Sequence, residues 1–177
     1  MMLMDTQSVA GTILKKNDFG ASMLQKIAEL EARYGIRLGL AQKVLLAETG
    51  TVEQVLSILT NSTVKVKVFD QQENARTIDR QSIITNDGDK VLIKAYSKVF
   101  KRNLPAKVVS QIKRKETGIG SIIASSGLET FRKIVEVGYD PASRSVFREY
   151  QIICKKKVAF EIREKLVGLE GSGPGGI

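Results

Sequence analysis

Residues 64–69 alternate strictly, with Val64, Val66 and Val68 on one side and Lys65 and Lys67 on the other. A period of two predicts a strand with one face buried and one in water. A second strand is predicted over 78–85. Asn86-Asp87-Gly88-Asp89 then turns the chain into a third over 90–99. Residues 147–153 and 158–166 predict a closing hairpin around Lys155-Lys156. Elsewhere the period lengthens. Met23, Leu24, Ile27, Ala28 and Leu30 recur at helical spacing, with Gly35 as the stop. Val44-Leu45-Leu46-Ala47 can finish a helix or form a strand, and Glu48-Thr49-Gly50 breaks it. Thr51-Val52-Glu53-Gln54 has the form of a capping box. It opens a helix with Val52, Val55, Leu56 and Leu59 as its stripe, ended by Asn61-Ser62. Pro105 suits the first turn of a helix carrying Val108, Val109 and Ile112. Thr117-Gly118-Ile119-Gly120 interrupts the pattern. After a short apolar run, Leu128, Phe131, Ile134 and Val135 predict a further helix closed by Gly138.

Strands joined by hairpins, with helices before and between them, predict an α+β fold with one antiparallel sheet and helices on one face or end. The chain of 177 residues shows no internal repeat and no linker. A single domain is expected over 1–170, followed by a flexible glycine-rich tail over 171–177. Hydrophobic residues make up 42% and charged residues 27%, and no apolar run reaches the length of a membrane span. The early acid and late lysines of the N-terminal stretch are in the wrong order for a secretory signal, so a cytoplasmic protein is expected.

Composition narrows the chemistry. The chain has no histidine, which excludes a Ser-His-Asp triad, a Cys-His pair and a His-ligated metal. Its one cysteine, Cys154, excludes an intramolecular disulfide and a zinc cluster. Acid–base work must fall to Glu, Asp, Lys, Tyr or Arg. The net charge of +9 admits nucleic acid, a membrane surface or a small anion as partner. The cations are spread along the chain, the densest run is Lys113-Arg114-Lys115, and aromatics are only 6%. The charge is therefore either plain solubilising charge or the mark of a small anionic partner, with no nucleic acid and no membrane expected.

Four places break their local pattern. Arg80 heads the strand over 78–84; it either faces solvent or clamps a carboxylate through its guanidinium fork. Thr117 to Gly120 is either a tight turn or a nest of bare N–H groups for an anion. Arg144 with Arg148 is either an anion-facing pair or surface charge. Glu164 follows Val158, Phe160 and Ile162 at two-residue spacing, so it points with the apolar side chains, whereas Glu161 shares parity with Arg163 and Lys165. A carboxylate on the buried face is either a salt-bridged structural residue or a catalytic or binding acid.

Taken in order, the stretches VLLAETGTVEQVLSIL, VKVKVFDQ, DRQSIIT, NLPAKVVSQI, TGIGSIIASSGLETF and REYQIICKKKVAFEIREKL resemble the chorismate pyruvate-lyase family, most of all its archaeal and mycobacterial branch. The likeness runs from about Val44 to Leu166 and rests on the collinear set rather than on one motif. It implies a six-stranded antiparallel sheet flanked by helices, a largely enclosed pocket, and no metal or organic cofactor. The family's carboxylate-binding arginine falls on Arg80, and its supporting backbone amide falls near Ile119, within Thr117, Gly118, Ile119 and Gly120. Its glutamate falls on Glu164, the arginine before the tyrosine of the last hairpin falls on Arg148, and Val52 falls among the substrate-contacting positions. The activity implied is conversion of chorismate, or a similar dianion, to 4-hydroxybenzoate and pyruvate, with Arg80 and Glu164 as the catalytic pair. The same fold resembles the effector-sensing domains of a family of bacterial transcription regulators, which implies non-catalytic small-molecule binding as the alternative. The sequence departs from the family's pattern in three places. Glu53 stands in place of a hydroxyl residue, Gly118 in place of a proline, and Lys155-Lys156 with Val158 in place of a glycine and proline in the last hairpin.

Overall fold

The computed structural model describes residues 18–169. The alternating segments form six strands: β1 (Val64–Glu73), β2 (Thr77–Asn86), β3 (Val91–Phe100), β4 (Phe131–Asp140), β5 (Ser145–Cys154) and β6 (Lys157–Leu166). They make one antiparallel sheet in the order β1-β2-β3-β6-β5-β4. Helices α1 (Phe19–Tyr34), α2 (Leu40–Ala47) and α3 (Val52–Thr60) precede the sheet. A 3-10 turn (Lys101–Asn103), α4 (Ala106–Lys113) and α5 (Ile119–Ser126) stand between β3 and β4. That crossover carries β4 to the far edge and lets β6 return beside β3, which gives the expected α+β architecture with a single sheet flanked by helices.

Register arranges the covered face of the sheet in four cross-strand rows. Ile84, Ile93, Leu166 and Val146 line up at one end; Ile78, Val99, Phe160 and Ile152 line up at the other. The first row belongs to a core with Ile27, Leu30, Leu45, Leu46 and Leu56 of α1, α2 and α3. The second belongs to a separate core with Val108 and Ile112 of α4 and Ile119, Ile122 and Ile123 of α5. Between them lie Ser82, Ala95, Glu164 and Arg148 in one row and Arg80, Ser97, Ile162 and Tyr150 in the next. The three buried charged side chains of the sheet, Arg80, Arg148 and Glu164, thus fall in the seam where the two cores meet.

The structure departs from several expectations. Residues 128–138 are not a helix. Phe131 onward is β4, and the short apolar run before it is α5, a helix in its own right. The helical spacing arises because the stripe mixes the two faces of the strand: Phe131 and Val135 are exposed apolar residues, whereas Ile134 packs against the core. A register shift between Ile134 and Glu136 also flips the parity within the strand. Residues 44–47 end α2 rather than forming a strand. Thr51 is the N-cap of α3 but makes no side-chain cap bond, so the capping box is not formed. Gln54 is exposed and meets Thr51 only through its backbone N–H. Near Val158 the two-residue alternation of β6 is broken by a register shift that leaves Ala159 fully buried; from Phe160 to Leu166 it holds. Lys155 and Lys156 both take positive φ, 48° and 64°, so this tight turn uses left-handed lysines without a glycine. The expected boundary and tail at 170–177 lie outside the described residues, as does the stretch before residue 18. No helix among the described residues is long and apolar enough to cross a membrane.

One ion-pair network fastens the helices to the seam. Arg148, 2% exposed, sends Nε to Glu164 Oε2 at 2.8 Å and Nη2 to the same oxygen at 2.7 Å. Nη2 also meets Glu48 Oε1 at 2.7 Å, and Nη1 donates to the Glu48 carbonyl. Tyr150 Oη donates to the other Glu164 oxygen at 2.8 Å. Glu48 terminates α2, so a single guanidinium ties the α2–α3 connection to β5 and β6. Burial disfavours the Arg148 charge, but Glu164, Tyr150 and Glu48 outweigh it and hold the pKa above the ordinary arginine value. Replacing Arg148 with Met should leave two carboxylates buried without their cation and lower unfolding stability by about 3–5 kcal/mol. Urea denaturation checks this, and a loss below about 1 kcal/mol would place the network among ordinary surface ion pairs.

Candidate functional site

The seam encloses a cavity because three of its inward positions are small. Ser82, Ala95 and Ser97 form its floor, where neighbouring rows carry isoleucine, valine and phenylalanine. Val52 and Glu53 of α3 and Gly118, Ile119 and Gly120 at the start of α5 form its roof. Val66 of β1, Arg80 of β2, Arg132 of β4, Tyr150 and Ile152 of β5 and Ile162 and Glu164 of β6 complete the wall. The free space is about 40 Å³, enough for a few waters, so a larger ligand must displace side chains that now fill it.

Two guanidinium groups face this space with donors to spare. Arg80 is 1% exposed; its Nη2 donates to the Thr117 carbonyl, while its Nη1 is buried without a partner among the described residues. Burial lowers the Arg80 pKa, and the charge of Glu53 works against that shift. Arg132 donates from Nη1 to the Thr49 carbonyl at 3.1 Å, and its Nε is likewise buried without a partner. A buried N–H of a charged group left unpaired costs free energy, which an anionic ligand bound between the two arginines would recover. Glu164 is oriented from behind by Arg148 and Tyr150 while still lining the cavity, and burial followed by the Glu164 charge pushes the Tyr150 hydroxyl well above its usual pKa.

The departures at Glu53 and Gly118 meet in space. A Cβ on Gly118 would collide with Glu53 Oε1 and come within 2.9 Å of Val66 Cγ2; one on Gly120 would lie 2.9 Å from Glu53 Oε2 and 3.2 Å from Thr51 Cγ2. The Glu53 carboxylate therefore rests on the bare backbone of the turn, and a side chain at either glycine would have to push it aside. Burial raises the Glu53 pKa, and Glu164 and Glu48 add to the shift, whereas its own backbone N–H and Arg132 oppose it.

Of the residues singled out in the sequence, Arg80, Glu164, Val52, Gly118, Ile119 and Gly120 share this one cavity. Thr117 is exposed and takes part through its carbonyl, which accepts from Arg80. Arg148 does not reach the cavity, because its nitrogens are engaged by Glu48 and Glu164. The anion-facing pair of Arg144 and Arg148 is not formed. Arg144 is an exposed residue of the β4–β5 turn with φ 50°. Sequence reasoning missed Arg132, Tyr150, Ser82, Ala95 and Ser97. Arg132 sits on the strand that had been expected as a helix. The small residues carry a usable signal: Ile78-Arg80-Ser82-Ile84 and Ile93-Ala95-Ser97-Val99 each place two undersized or charged residues between large aliphatics on the inward parity. Among the described residues no group of three or more His, Cys, Asp or Glu side chains is placed to hold a metal ion.

No family model matches the chain. A crystal structure of a GntR-family transcriptional regulator from Bacillus cereus is similar over 64% of this chain and 98% of that one, with a TM-score of 0.42 and 9% identity. A protein of Methanocaldococcus jannaschii named "Putative lyase MJ0807" is 30% identical over an alignment of 140 positions that covers 70% of this chain and 76% of that protein. At that identity, over that share of both sequences, the chain belongs to the family of the M. jannaschii protein.

Proposed function

We propose that the protein is a cofactor-free lyase that converts chorismate to 4-hydroxybenzoate and pyruvate. The observation that carries this reading is the pair of buried, unpartnered guanidinium donors, Arg80 Nη1 and Arg132 Nε, in one small cavity with an oriented glutamate. The name of the M. jannaschii relative supports lyase chemistry. The collinear motifs support chorismate as the substrate.

The reaction asks little of a nucleophile. The bond between ring C3 and the enolpyruvyl oxygen breaks, the hydrogen on C4 leaves, the ring becomes aromatic, and the enolpyruvate gains a proton to become pyruvate. Aromatisation supplies the driving force, so positioning and charge stabilisation are the protein's main contributions. Arg80, with the Gly118–Gly120 backbone, holds the ring carboxylate. Arg132 takes the enolpyruvyl carboxylate. Glu164 contacts the ring hydroxyl and assists proton movement, held in place by Arg148 and Tyr150.

Protein stripped with EDTA should release equimolar pyruvate and 4-hydroxybenzoate from chorismate, followed by chromatography. Another hydroxybenzoate isomer as product would keep a lyase and defeat this assignment. Tight binding of 4-hydroxybenzoate without turnover would make the pocket a sensor site. Arg80→Ala and Arg132→Ala should each lower kcat/KM by roughly 10²–10³-fold. Arg80→Lys should stay strongly impaired, since an ammonium cannot reproduce the fork that holds both the Thr117 carbonyl and a ligand carboxylate. Near-normal kinetics in the lysine variant would reduce Arg80 to a source of positive potential.

A further inference from the structure

Glu53 stands where the inner cavity meets the surface. Together with Val66 and Gly118 it lines the cavity on one side, and on the other side an outward groove that also holds Lys65, Lys67 and Glu116. A carboxylate passing from that groove to Arg80 must share space with the Glu53 oxygens, which already occupy the bare backbone of Gly118 and Gly120. These glycines begin α5, where unpaired N–H groups favour negative charge, so the ligand and Glu53 compete for the same ground.

The charges around Glu53 decide how that competition ends. Arg80 faces it from β2, Arg132 from β4, Glu164 from β6, and Glu48 from the residues ahead of its own helix. On the groove side stand Lys65 and Lys67 of β1 and Glu116 before the turn. The Thr117–Gly120 turn adds no titratable group. Arg148 is committed to Glu48 and Glu164, a triad with one surplus negative charge. Arg80 and Arg132 are then balanced by that surplus together with an ionised Glu53. The empty site is neutral, and every carboxylate brought in is uncompensated. In a closed cavity that excess is costly, and Glu53 is the group able to remove it. Its pKa is already raised by burial and by the two neighbouring glutamates.

We propose that Glu53 takes up one proton when a carboxylate ligand enters the cavity, and that the resulting carboxylic acid donates a hydrogen bond to the ligand's carboxylate. The proton comes from solvent and forms an O–H bond on a Glu53 oxygen; no other bond changes. The inference rests on the proposed function only in taking the ligand to be a carboxylate. It assigns to Glu53 the part of a neutral donor that the site needs whenever an anion is bound.

The test is calorimetric titration of the full chain and of Glu53→Gln with 4-hydroxybenzoate. It is run in buffers of different ionisation enthalpy between about pH 6 and pH 8, where the ligand carboxyl is ionised and its phenol is not. Wild type should absorb about one proton per ligand as pH rises above the Glu53 pKa, and its affinity should fall by up to about tenfold per pH unit there. Glu53→Gln keeps the shape and a donor without the charge, so it should bind with little pH dependence and no proton uptake. It should match or exceed wild type at the upper pH. Wild-type binding without proton uptake overturns the role of Glu53 and leaves the lyase reading standing. A pH dependence unchanged in Glu53→Gln does the same by pointing to another group. Absence of binding in both proteins at every pH overturns the anion pocket itself, and this inference with it.

Discussion

The guanidinium of Arg148 is the contact on which the site depends. It lies on β5 between Glu164 of β6 and Glu48 at the end of α2, forming the ion pairs that link the sheet interior to that connection, where Arg132 of β4 adds a hydrogen bond to the Thr49 carbonyl. Its cost is high, because two carboxylates and a guanidinium have been taken out of water. What it secures is geometry. Glu48 fixes where α3 begins, and α3 brings Val52 and Glu53 over the cavity; Glu164 is locked to one rotamer with Tyr150 on its second oxygen. A hydrophobic replacement of the triad could equal it in stability. It could not hold a carboxylate facing a cavity while the charge behind that carboxylate is matched.

The placement follows from how the two cores are built. Helices α1–α3 cover one end of the sheet and α4–α5 the other, each over a row of large aliphatics. Over the middle rows Val52 and Glu53 of α3 and the start of α5 face the sheet across a space rather than packing onto it. Filling those rows with leucine or isoleucine would have merged the cores into one. Ser82, Ala95 and Ser97 leave a gap instead, and Arg80, Arg148 and Glu164 turn polar groups toward it. A buried polar group tolerates such a position only if something satisfies it. Most here are satisfied internally, through the Thr117 carbonyl, Glu48 and Tyr150. Two donors are not, one on Arg80 and one on Arg132, and these are the donors that the proposed function gives to the ligand's carboxylates.

Much of this was legible in the sequence because period two is unambiguous where strands stay regular. β1 up to Val68, β2 up to Ile84, β3 from Ile93 and β6 from Phe160 keep the two-residue alternation, and on β6 the inward parity of Glu164 and the solvent parity of Glu161 follow from spacing alone. β4 escaped because Phe131 and Val135 place apolar side chains on its exposed face, which breaks the alternation and imitates a helical stripe, and Arg132 was lost with it. The capping box failed for a different reason. Gln54 stays exposed, and Thr51 sits beside Gly120 without capping its own helix. The partner of Arg148 was not legible either. Glu48 lies far away in sequence, and nothing in a local pattern records a contact of that range. Tyr150 could have been found by parity with Arg148, since both fall among the apolar positions of β5.

The net charge of +9 misleads if it is carried straight to the binding site. On β1 and β3 the lysines Lys65, Lys67 and Lys94 are exposed, on the parity opposite to the cavity. The cavity itself sums to neutral when Glu53 is ionised, two arginines standing against Glu53 and the surplus of the Glu48–Arg148–Glu164 triad. Surface excess and local balance serve different physics. The former raises the local concentration of an anion and speeds its approach, an effect that salt screens. The latter decides whether the anion can stay once water has been excluded, which salt does not reach. A basic protein of this kind needs no positive pocket to take an anion; it needs a pocket whose charge can change by one when the anion arrives.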